Sequence, residues 1–431
     1  MQKSGFQHII DAFKLEEGGK IKLRGWVDNV RVQGGLSFID LRDSTGKIQV
    51  TIKRQNLINA NYDEIVKSLS RESSVFIEGS VKNDPRAPGG REVICSNVGI
   101  IGKSEEYPIR KGVSISYLLD HRHLYLRREK MQAILKIRNK LLEGARLWLK
   151  ENGYFEIHCP TFITASVEGG ATLFKVDYFG KEAYLTQSSQ FYLEAAIFGF
   201  EKVFTIQPSF RAEKSRTRKH LTEFWHLEVE VAFADHDEIM QIEEDLLYNM
   251  VKYAIDECKK EFEILKRSNF EPPKRPFIKM TYLQALEIIR SKGIEIKFGD
   301  DIGADEEKIV ADTLDRPAFI MYFPKVTKAF YHHPHPEDDN LTLSSDLYAP
   351  GQGEIAGGGQ RIHELDLLLK RIQENNLNPK DYEWYIDLRR YGSVPHSGFG
   401  MGIERIVKWV TGINHVRDAI AFPRTMNRVY P

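Results

Sequence analysis

Residues 203–233, with the sequence VFTIQPSFRAEKSRTRKHLTEFWHLEVEVAF, constrain the fold of this chain more than any other stretch. Two runs of alternating polar and apolar residues flank a short basic segment, which predicts two antiparallel strands joined by a basic loop. One face of this hairpin is apolar and is expected to pack against helices. The other face carries polar and charged residues, namely Gln207, Ser209, Arg211, Glu213, Phe224, His226, Glu228 and Glu230.

The loop between the two strands adds positive charge beside this polar face. It contains Lys214, Arg216, Arg218, Lys219 and His220. Arginine, carboxylates and an aromatic ring beside a cationic loop suit a ligand that has a triphosphate, a base and a small polar part. A surface hairpin with a solvated basic tip is the alternative, so the rest of the chain has to decide between them.

Length and composition limit the classes of protein that remain. The 431 residues are enough for two or three domains with ample cores, and the net charge of zero means that nucleic-acid contacts would depend on local patches. Three widely spaced cysteines argue against a disulfide framework and against a cysteine-based zinc site. No stretch approaches 18 uncharged apolar residues, and the N-terminus lacks the pattern of a signal peptide. We therefore expect a cytoplasmic protein that has no membrane contact.

The first 105 residues have the pattern of a small β-barrel. Short alternating runs begin at Lys20 and are separated by turns rich in glycine, aspartate and proline. Five such strands fit an OB-fold, in which one sheet face binds single-stranded nucleic acid. Phe38, Gln49 and Arg31 are candidates for stacking on bases and reading their edges, with a buried Phe38 and a solvated Arg31 as the alternative. Residues 106–125 are expected to form a hinge.

Residues 126–431 are expected to form one large domain. The segment FEIH, which stops at Pro160, predicts a strand, and 235–266 predict helix. Residues 267–330 have a mixed pattern that indicates an α/β insertion. A long amphipathic helix, closed by Asn152-Gly153, would serve the core or a dimer interface. Its apolar positions recur at helical spacing and are Ile134, Ile137, Leu141, Ala145 and Trp148.

Two segments before the hairpin carry candidate contacts for a small ligand. Glu168 lies in SVEGGATLF, a glycine-containing loop that suits closure over an amine, although a solvated glutamate is the commoner case. Ser188 and Gln190 lie where a predicted strand turns into a helix, and simple helix capping explains Ser188 equally well.

The C-terminal third holds candidates for metal and phosphate binding. Asp346 and Glu354 flank a glycine-rich turn and are able to hold Mg²⁺ while leaving it open to phosphate oxygens. Arg405 lies in the first turn of a predicted helix, where its positive charge and the helix dipole would both favour a bound phosphate. The alternative interpretation is that Arg405 only pairs with a nearby glutamate. The segment HHPHPEDDN, residues 332–340, suggests zinc, but two prolines and no flanking helix favour a solvated loop.

In this order and at these spacings, the segments resemble the class II aminoacyl-tRNA synthetases of the aspartyl, asparaginyl and lysyl subgroup, most closely the asparaginyl branch. The resemblance covers nearly the whole chain and rests on the barrel, the helix and strand ending at Pro160, FRAE to EFWHLEVE, and GFGMGIER. It implies the α+β class, with an OB-fold anticodon-binding domain over residues 1–105 and a class II catalytic domain over 126–431. That domain would have an antiparallel sheet flanked by helices. The resemblance also implies a homodimer.

The resemblance also implies a role for each candidate in ATP binding. Arg211 would contact the α-phosphate at the site of attack, with Glu213 near the adenine or the tRNA terminus. Phe224 and Arg405 would stack on the two faces of adenine, and Arg405 would reach the γ-phosphate. Two further groups follow: phosphate contacts at Arg218 and His220, and Mg²⁺ ligands at Asp346 and Glu354.

For the amino acid, the resemblance implies asparagine. Aspartyl enzymes have QSPQLYK, whose lysine pairs with the substrate carboxylate, whereas this chain has QSSQFYLE with Leu193 at that place. Glu228 stands where they have an aspartate, so an anionic side chain is disfavoured and an acceptor for an amide NH₂ is supplied. Arg361 would donate to the amide oxygen. Ser188, Gln190 and Glu168 match positions near the α-amino group, and Arg31, Phe38 and Gln49 approximately match anticodon-reading positions.

The expected reaction is therefore ATP-dependent activation of asparagine and transfer to tRNA(Asn). Three alternatives stay open: an aspartyl-tRNA synthetase with relaxed tRNA specificity, an ammonia-using asparagine synthetase, and a non-catalytic RNA-binding paralogue. The missing lysine counts against the first and the barrel against the second. The third would be expected to lose Arg211, Glu354 or Arg405. One departure from the family pattern is EIAGGGQR, where a serine is expected in place of Gly359.

Overall fold

The chain divides into two units, Met1–Ile115 and Ser116–Pro431. The computed structural model describes residues 5–58, 61–164, 172–214 and 217–431. Both units mix helices and strands, and the first contains a closed five-stranded barrel. The predicted α+β class and the N-terminal β-barrel are thereby confirmed.

The barrel of the first unit has the strand order β1-β2-β3-β5-β4, with only β3 and β5 parallel among its pairs. Alternate residues of the first strand, such as Ile21, Leu23 and Val27, are buried in the barrel core because successive side chains point to opposite faces. The strands are β1 (Lys20–Gln33), β2 (Leu36–Arg42), β3 (Lys47–Lys53), β4 (Ser74–Asn83) and β5 (Arg91–Gly102), and the helices are α1 (Ile9–Ala12) and α2 (Tyr62–Ser68).

An eight-stranded sheet dominates the second unit, with the order β12-β13-β16-β17-β18-β11-β10-β6. Its two outermost pairs are parallel and all other pairs are antiparallel. The strands of this sheet are β6 (Phe155–Glu156), β10 (Lys202–Phe210), β11 (Glu223–Ala232), β12 (Ile278–Thr281), β13 (Ala318–Met321), β16 (Ser344–Ala349), β17 (Gly353–Gln360) and β18 (His396–Gly402). The smaller sheets contain β7 (Phe162–Ile163), β8 (Lys175–Tyr178), β9 (Lys181–Leu185), β14 (Pro334–His335) and β15 (Asp338–Thr342).

Helices cover one face of the large sheet and also pack near the two ends of the opposite face, which leaves the polar middle of that face available for a site. The predicted long helix is α5, and its apolar stripe packs with α7 and α13 against β10, β11, β17 and β18. The helices are α3 (Ile115–Asp120), α4 (Arg122–Tyr125), α5 (Glu129–Glu151), α6 (Gln190–Phe200), α7 (His236–Glu257), α8 (Lys259–Ile264), α9 (Tyr282–Ser291), α10 (Ala304–Ala311), α11 (Leu365–Glu374), α12 (Glu383–Arg390) and α13 (Ile403–Thr411).

The predicted hairpin at 203–233 is β10 paired antiparallel with β11, so that Thr205 lies opposite Glu228 and Ser209 opposite Phe224. Its apolar face is buried in the core as expected. One detail of the prediction is wrong, since β10 ends at Phe210 and Arg211 and Glu213 follow the strand. Beyond the strand, the backbone N–H of Arg211 still donates to Thr222 O at 3.0 Å, and that of Ala212 donates to Thr172 O at 2.7 Å.

Two segments of mixed pattern have defined places in the fold. Residues 267–330, predicted as an α/β insertion, contain α9 and α10 and contribute β12 and β13 to the end of the large sheet. The segment 332–340 was expected to be a loop, but it begins the two-stranded hairpin of β14 and β15. Proline is tolerated at the start of such a short strand because it needs no ladder donor there.

Candidate active site

Two adjoining cavities lie over the polar face of β11, β16, β17 and β18. The larger has a volume of about 520 Å³ and the smaller about 60 Å³. Arg211, His226, Glu354 and Gly400 line both, so the cavities meet at these residues. The polar face of β11, the second strand of the predicted hairpin, therefore faces a pair of connected spaces.

The larger cavity brings together most of the residues predicted to contact an amino acid. Leu193 also borders it and is fully buried in contact with an apolar cluster of α6 and β10. Lys328 and Tyr331, which the sequence had not singled out, share the lining with Glu230 of the predicted polar face and His332 of the histidine-rich segment. The predicted residues in this lining are Ser188, Gln190, Arg211, Glu228, Asp346, Glu354 and Arg361.

Glu228 is held in one orientation at the floor of this cavity. Its Oε1 accepts a hydrogen bond from the Ser188 hydroxyl, and its Oε2 accepts one from the backbone N–H of Ser189 at 2.8 Å. The Ser188 oxygen in turn accepts from the backbone N–H of Gln190 at 3.1 Å. Because each carboxylate oxygen has two lone pairs, Glu228 keeps acceptor capacity toward the cavity. The turn before α6 thus fixes the carboxylate.

Arg361 is buried and pairs with a carboxylate that sequence reasoning had assigned no role. Its Nε and Nη2 donate to Oε1 of Glu230 at 2.9 and 2.6 Å. Burial raises the pKa of Glu230 to about 8, and the neighbouring guanidinium opposes that rise. Glu230 therefore contacts the edge of the guanidinium that carries Nε and Nη2. Arg361 also borders the cavity.

The smaller cavity collects the residues predicted to bind a nucleotide base. Phe224 and Arg405 both line it, and the Phe224 ring contacts the ring of His226 edge to face at 5.4 Å. Arg405 Nη1 donates to Glu354 Oε2 at 2.9 Å. His220 lies in the same lining, where burial and the nearby Arg405 lower its pKa. An aromatic face and a planar guanidinium in one small space suit a flat ring.

Asp346 and Glu354 converge around Gly357, where an added Cβ would lie 3.0 Å from Asp346 Oδ1 and 3.8 Å from Glu354 Oε1. Lys328 Nζ contacts both oxygens of Asp346 at 2.7 and 2.8 Å. Burial raises the pKa of Asp346 to about 6; at Glu354 burial acts in the same direction, but Arg405 and Lys328 outweigh it and bring the pKa to about 2. Carboxylate oxygens beside a glycine cradle fit the ligand preference of Mg²⁺.

Comparison with known proteins agrees with this geometry. Residues 21–101 match the OB-fold nucleic acid binding domain, and residues 114–426 match the tRNA synthetases class II (D, K and N). The chain belongs to the class II tRNA synthetases. The family expected from the sequence is thereby confirmed, and with it the combination of an OB-fold with a class II catalytic domain.

Individual relatives of the synthetase align over nearly its full length. It is 50% identical over 419 residues to the asparagine–tRNA ligase of Thermococcus kodakarensis, covering 96% of this chain and 97% of the relative. The asparaginyl-tRNA synthetase of Pyrococcus horikoshii complexed with asparaginyl-adenylate has 49% identity and a TM-score of 0.92, covering 96% and 97%. The Entamoeba histolytica asparaginyl-tRNA synthetase in complex with asparaginyl-adenylate has 35% identity and a TM-score of 0.90, covering 97% and 98%.

Beneath the larger cavity, the synthetase contains a buried polar network centred on Glu194. Its Oε2 accepts from Arg389 Nη2 at 2.6 Å and from the Tyr385 hydroxyl at 2.8 Å, and it lies 3.0 Å from His396 Nε2. Its Oε1 accepts from Gln190 Nε2 at 2.9 Å. Burial acts to raise the pKa of Glu194, but Arg389 and His396 outweigh it and the pKa is lowered. The network therefore orients Gln190 at the cavity.

Replacing Arg389 by methionine is expected to lower the free energy of unfolding by about 3–5 kcal/mol, because it leaves the Glu194 carboxylate buried without its cation. The neighbouring Arg390→Met is the matched control, since Arg390 is exposed and pairs only across the helix surface with Asp387 at 2.7 Å. The control is expected to change stability by less than about 0.5 kcal/mol. Urea unfolding of the two variants checks this; equal midpoints would contradict the role of the buried pair.

Three predicted contacts do not lie in the described lining of the two cavities. Glu213 follows β10 but lines neither, and Glu168 lies outside the described residues. Arg218 borders a separate cavity of about 920 Å³. That cavity has a basic lining that includes Lys219, Arg267, Lys274, Lys308, Arg316 and Lys408.

On the barrel, the three predicted base contacts lie together. Arg31 is directly opposite Phe38 in the β1–β2 register, with its guanidinium 5.6 Å from the ring centre. Arg31 Nη2 also donates to Gln49 Oε1 at 2.9 Å. Phe38 is half-buried and Arg31 exposed, so an aromatic face and a cation are presented on one sheet surface.

Two further findings concern the synthetase as a whole. In the part of the chain that the structure describes, every helix is too short or too polar to cross a membrane. Gly359, where the family pattern suggests serine, has a φ of +150°, and a Cβ added there would lie 2.7 Å from the Cα of Ser344 and closer still to the carbonyl oxygen of Leu343. A side chain there would be strained, which explains the glycine.

Proposed function

We propose that this synthetase activates L-asparagine with ATP to asparaginyl-adenylate and transfers the asparaginyl group to the 3′ end of tRNA(Asn). The observation that carries the proposal is the floor of the larger cavity. There the apolar Leu193 supplies no cation for an acidic substrate, and Glu228 is fixed by Ser188 and Ser189 as an acceptor for an amide NH₂. The asparagine–tRNA ligases among the relatives support the same substrate.

In this proposal the two cavities divide the substrates between them. The larger takes asparagine, with Arg361 toward the amide oxygen and Ser188, Gln190 and Glu168 toward the α-amino group. The smaller takes adenine between Phe224 and Arg405. Because the cavities share Arg211, the amino-acid carboxylate and the α-phosphate would meet beside its guanidinium.

The reaction at that junction needs positioning rather than proton transfer. A carboxylate oxygen of asparagine attacks the α-phosphorus, the new P–O bond forms, and the bond to the β-phosphate oxygen breaks to release pyrophosphate. Arg211 and Arg405 would stabilise the negative charge that gathers on the phosphoryl oxygens, with His220 as a further phosphate contact. Both arginines would therefore contact the reacting phosphates.

We further propose that Asp346 and Glu354 hold Mg²⁺ when ATP binds. The ion would neutralise part of the triphosphate charge. Lys328 and Arg405 now neutralise these carboxylates, and their cationic groups would then also serve phosphate oxygens. Arg218, which borders the separate basic cavity, would contact phosphate further from the adenine, and Glu213 would lie near the adenine or the tRNA terminus.

Amino-acid-dependent exchange of pyrophosphate into ATP tests the proposed substrate. Asparagine is expected to support exchange at least about 100-fold better, as kcat/KM, than aspartate or lysine. Faster exchange with aspartate would instead indicate an aspartyl-tRNA synthetase with relaxed tRNA specificity. Binding of tRNA without exchange for any amino acid would indicate a non-catalytic RNA-binding paralogue.

We also propose that the OB-fold over residues 1–105 binds the anticodon through Phe38, Arg31 and Gln49, and that 126–431 form the catalytic domain after a hinge at 106–125. Phe38→Ala is expected to weaken tRNA binding by about tenfold or more, because base stacking on an aromatic ring contributes about 1–3 kcal/mol. Pyrophosphate exchange without tRNA should stay unchanged and serves as the internal control. Filter binding that finds equal tRNA affinity would rule out stacking at Phe38.

We also propose that the protein is cytoplasmic, since tRNA charging serves translation in the cytoplasm, and that it forms a homodimer. The outermost strand β6 exposes Phe155, which stacks on Phe200 with ring centres 4.5 Å apart; the two are 51% and 50% exposed. A second copy of the chain would cover these rings. Light scattering of the purified protein should give twice the chain mass of 49.7 kDa, and a monomer would refute the dimer.

A further inference from the structure

A cluster of two histidines and a glutamate lies outside both cavities and is assigned no role in the proposed reaction. One ligand atom of each of His333, His363 and Glu364 lies within 4.8 Å of the other two. His333 Nε2 is 3.4 Å from Glu364 Oε1, and His363 Nδ1 is 3.4 Å from Glu364 Oε2. The three side chains therefore converge on one small region.

Backbone pairing holds the two segments that carry this cluster side by side. His333 N donates to Gln360 O at 2.9 Å, and Ile362 N donates to Tyr331 O at 2.9 Å. The carbonyl of His363 accepts from the Ser393 hydroxyl at 2.7 Å. The three side chains thus start from a fixed backbone, which lowers the entropy cost of gathering them around an ion.

The hydrogen bonds of the cluster also aim lone pairs at its centre. His333 Nδ1 lies 2.7 Å from the Pro334 carbonyl, which only accepts, so this nitrogen carries the proton. In the neutral ring the lone pair is then on Nε2, which faces Glu364. The Nδ1 of His363 is buried, and its contact with Glu364 Oε2 at 3.4 Å lacks hydrogen-bond geometry. A cation between the two imidazoles and the carboxylate would interact favourably with all three groups.

We propose that His333, His363 and Glu364 bind a divalent transition-metal ion such as Zn²⁺, with water completing its coordination. Two imidazole nitrogens and one carboxylate oxygen are a known ligand set for zinc that keeps an open position. Nitrogen donors favour such an ion over Mg²⁺ or Ca²⁺, which prefer oxygen. The backbone carbonyl on His333 Nδ1 is the usual outer partner of a metal-bound histidine. The 47% exposed side chain of Glu364 leaves a route for the ion.

The proposed ion would cross-link the two chain segments that form one wall of the larger cavity. His332 and Arg361 line that cavity; His333 directly follows His332, and His363 and Glu364 follow Arg361 after one intervening residue. Of the segment 332–340, only His333 belongs to the proposed ligand set, and the other two ligands are His363 and Glu364. This explains why the local segment HHPHPEDDN by itself gives a poor zinc motif. The inference does not depend on which amino acid the synthetase activates.

Zinc titration of the full chain tests the site. After treatment with a chelator, the protein competes with a chromophoric chelator for Zn²⁺, with millimolar Mg²⁺ present to occupy the carboxylates Asp346 and Glu354. We expect one ion per chain with a Kd of about 1 μM or tighter. His333→Ala and His363→Ala should weaken binding by at least about tenfold. His335→Ala, a change of the same type two residues further along, is the matched control and should leave the Kd unchanged.

Two additional measurements keep the result interpretable. Glu364→Gln preserves the shape of the side chain, so weaker binding in a variant with an unchanged unfolding temperature separates ligand loss from misfolding. Cobalt bound to the wild-type chain should show visible absorption that is lost in His363→Ala. Absence of saturable Zn²⁺ binding in the wild type would show that Glu364 pairs with protonated histidines instead. Equal affinity in the wild type and the His333 and His363 variants would show that the ion binds elsewhere; either result overturns the proposal.

Discussion

Arg405→Ala is expected to lower kcat/KM for asparagine-dependent pyrophosphate exchange by about 10²–10³-fold, the usual effect of removing one donor that stabilises transition-state charge. Arg405 lines the smaller cavity together with Phe224 and donates to Glu354 Oε2 at 2.9 Å. Its loss would remove one face of the proposed adenine site and leave the Glu354 carboxylate without its nearest cation. Both the binding of ATP and the charge balance at the phosphates would suffer.

Two companion variants separate catalysis from folding. Arg405→Lys keeps a positive charge near Glu354 but lacks the planar guanidinium, so we expect a folded enzyme with at least about a tenfold loss. Arg390→Ala removes an exposed arginine of α12 and should leave the exchange rate unchanged. A folded Arg405→Ala enzyme with wild-type kcat/KM would contradict the assignment of the smaller cavity to adenine.

The double variant Leu193→Lys with Glu228→Asp is expected to lower the asparagine-to-aspartate ratio of kcat/KM by at least about 100-fold. Lysine at 193 would add a cation at the border of the larger cavity, where the side chain is now fully buried and apolar. Aspartate at 228 would withdraw the carboxylate that Ser188 and Ser189 hold toward the cavity. Charge complementarity would then favour the acidic substrate and penalise the amide.

Leu193→Met is the matched control because it conserves volume without adding charge, and its substrate ratio should stay at the wild-type value. Each single variant shows which residue contributes more, and thermal unfolding shows whether the buried lysine disturbs the core. Exchange rates for asparagine and aspartate in the wild type and these four variants give the answer. A well-folded double variant that keeps the wild-type ratio would refute the proposed pocket.

Local periodicity explains which parts of the fold the sequence predicted. Polar and apolar residues alternate over 203–233, so the β10–β11 hairpin and its buried face could be predicted from this pattern alone. The stripe of α5 was predicted for the same reason. The neighbours of β11 were not predictable in this way, because it pairs with β18, about 170 residues later in the chain, and such pairings leave no periodic signal.

The same limit applies within the candidate site. Lys328 contacts Asp346, and Glu230 contacts Arg361, yet nothing near Lys328 distinguishes it from other lysines, and Glu230 was one carboxylate among several. His226 was placed on the polar face by alternation, so a signal for it existed. Alternation does not continue once the strand has ended, and for this reason the directions of Glu213 and Arg218 could not be inferred.

The shared wall of the two cavities has a consequence for inhibitor chemistry. Arg211 and Glu354 border both spaces, so a single molecule with a stable linker in place of the acyl-phosphate bond of the adenylate would extend into both. Such a compound would lose its translational freedom only once while gaining contacts in two subsites. Its adenine half would fit many synthetases of this class. Its selectivity would therefore depend on the half that lies beside Leu193 and Glu228.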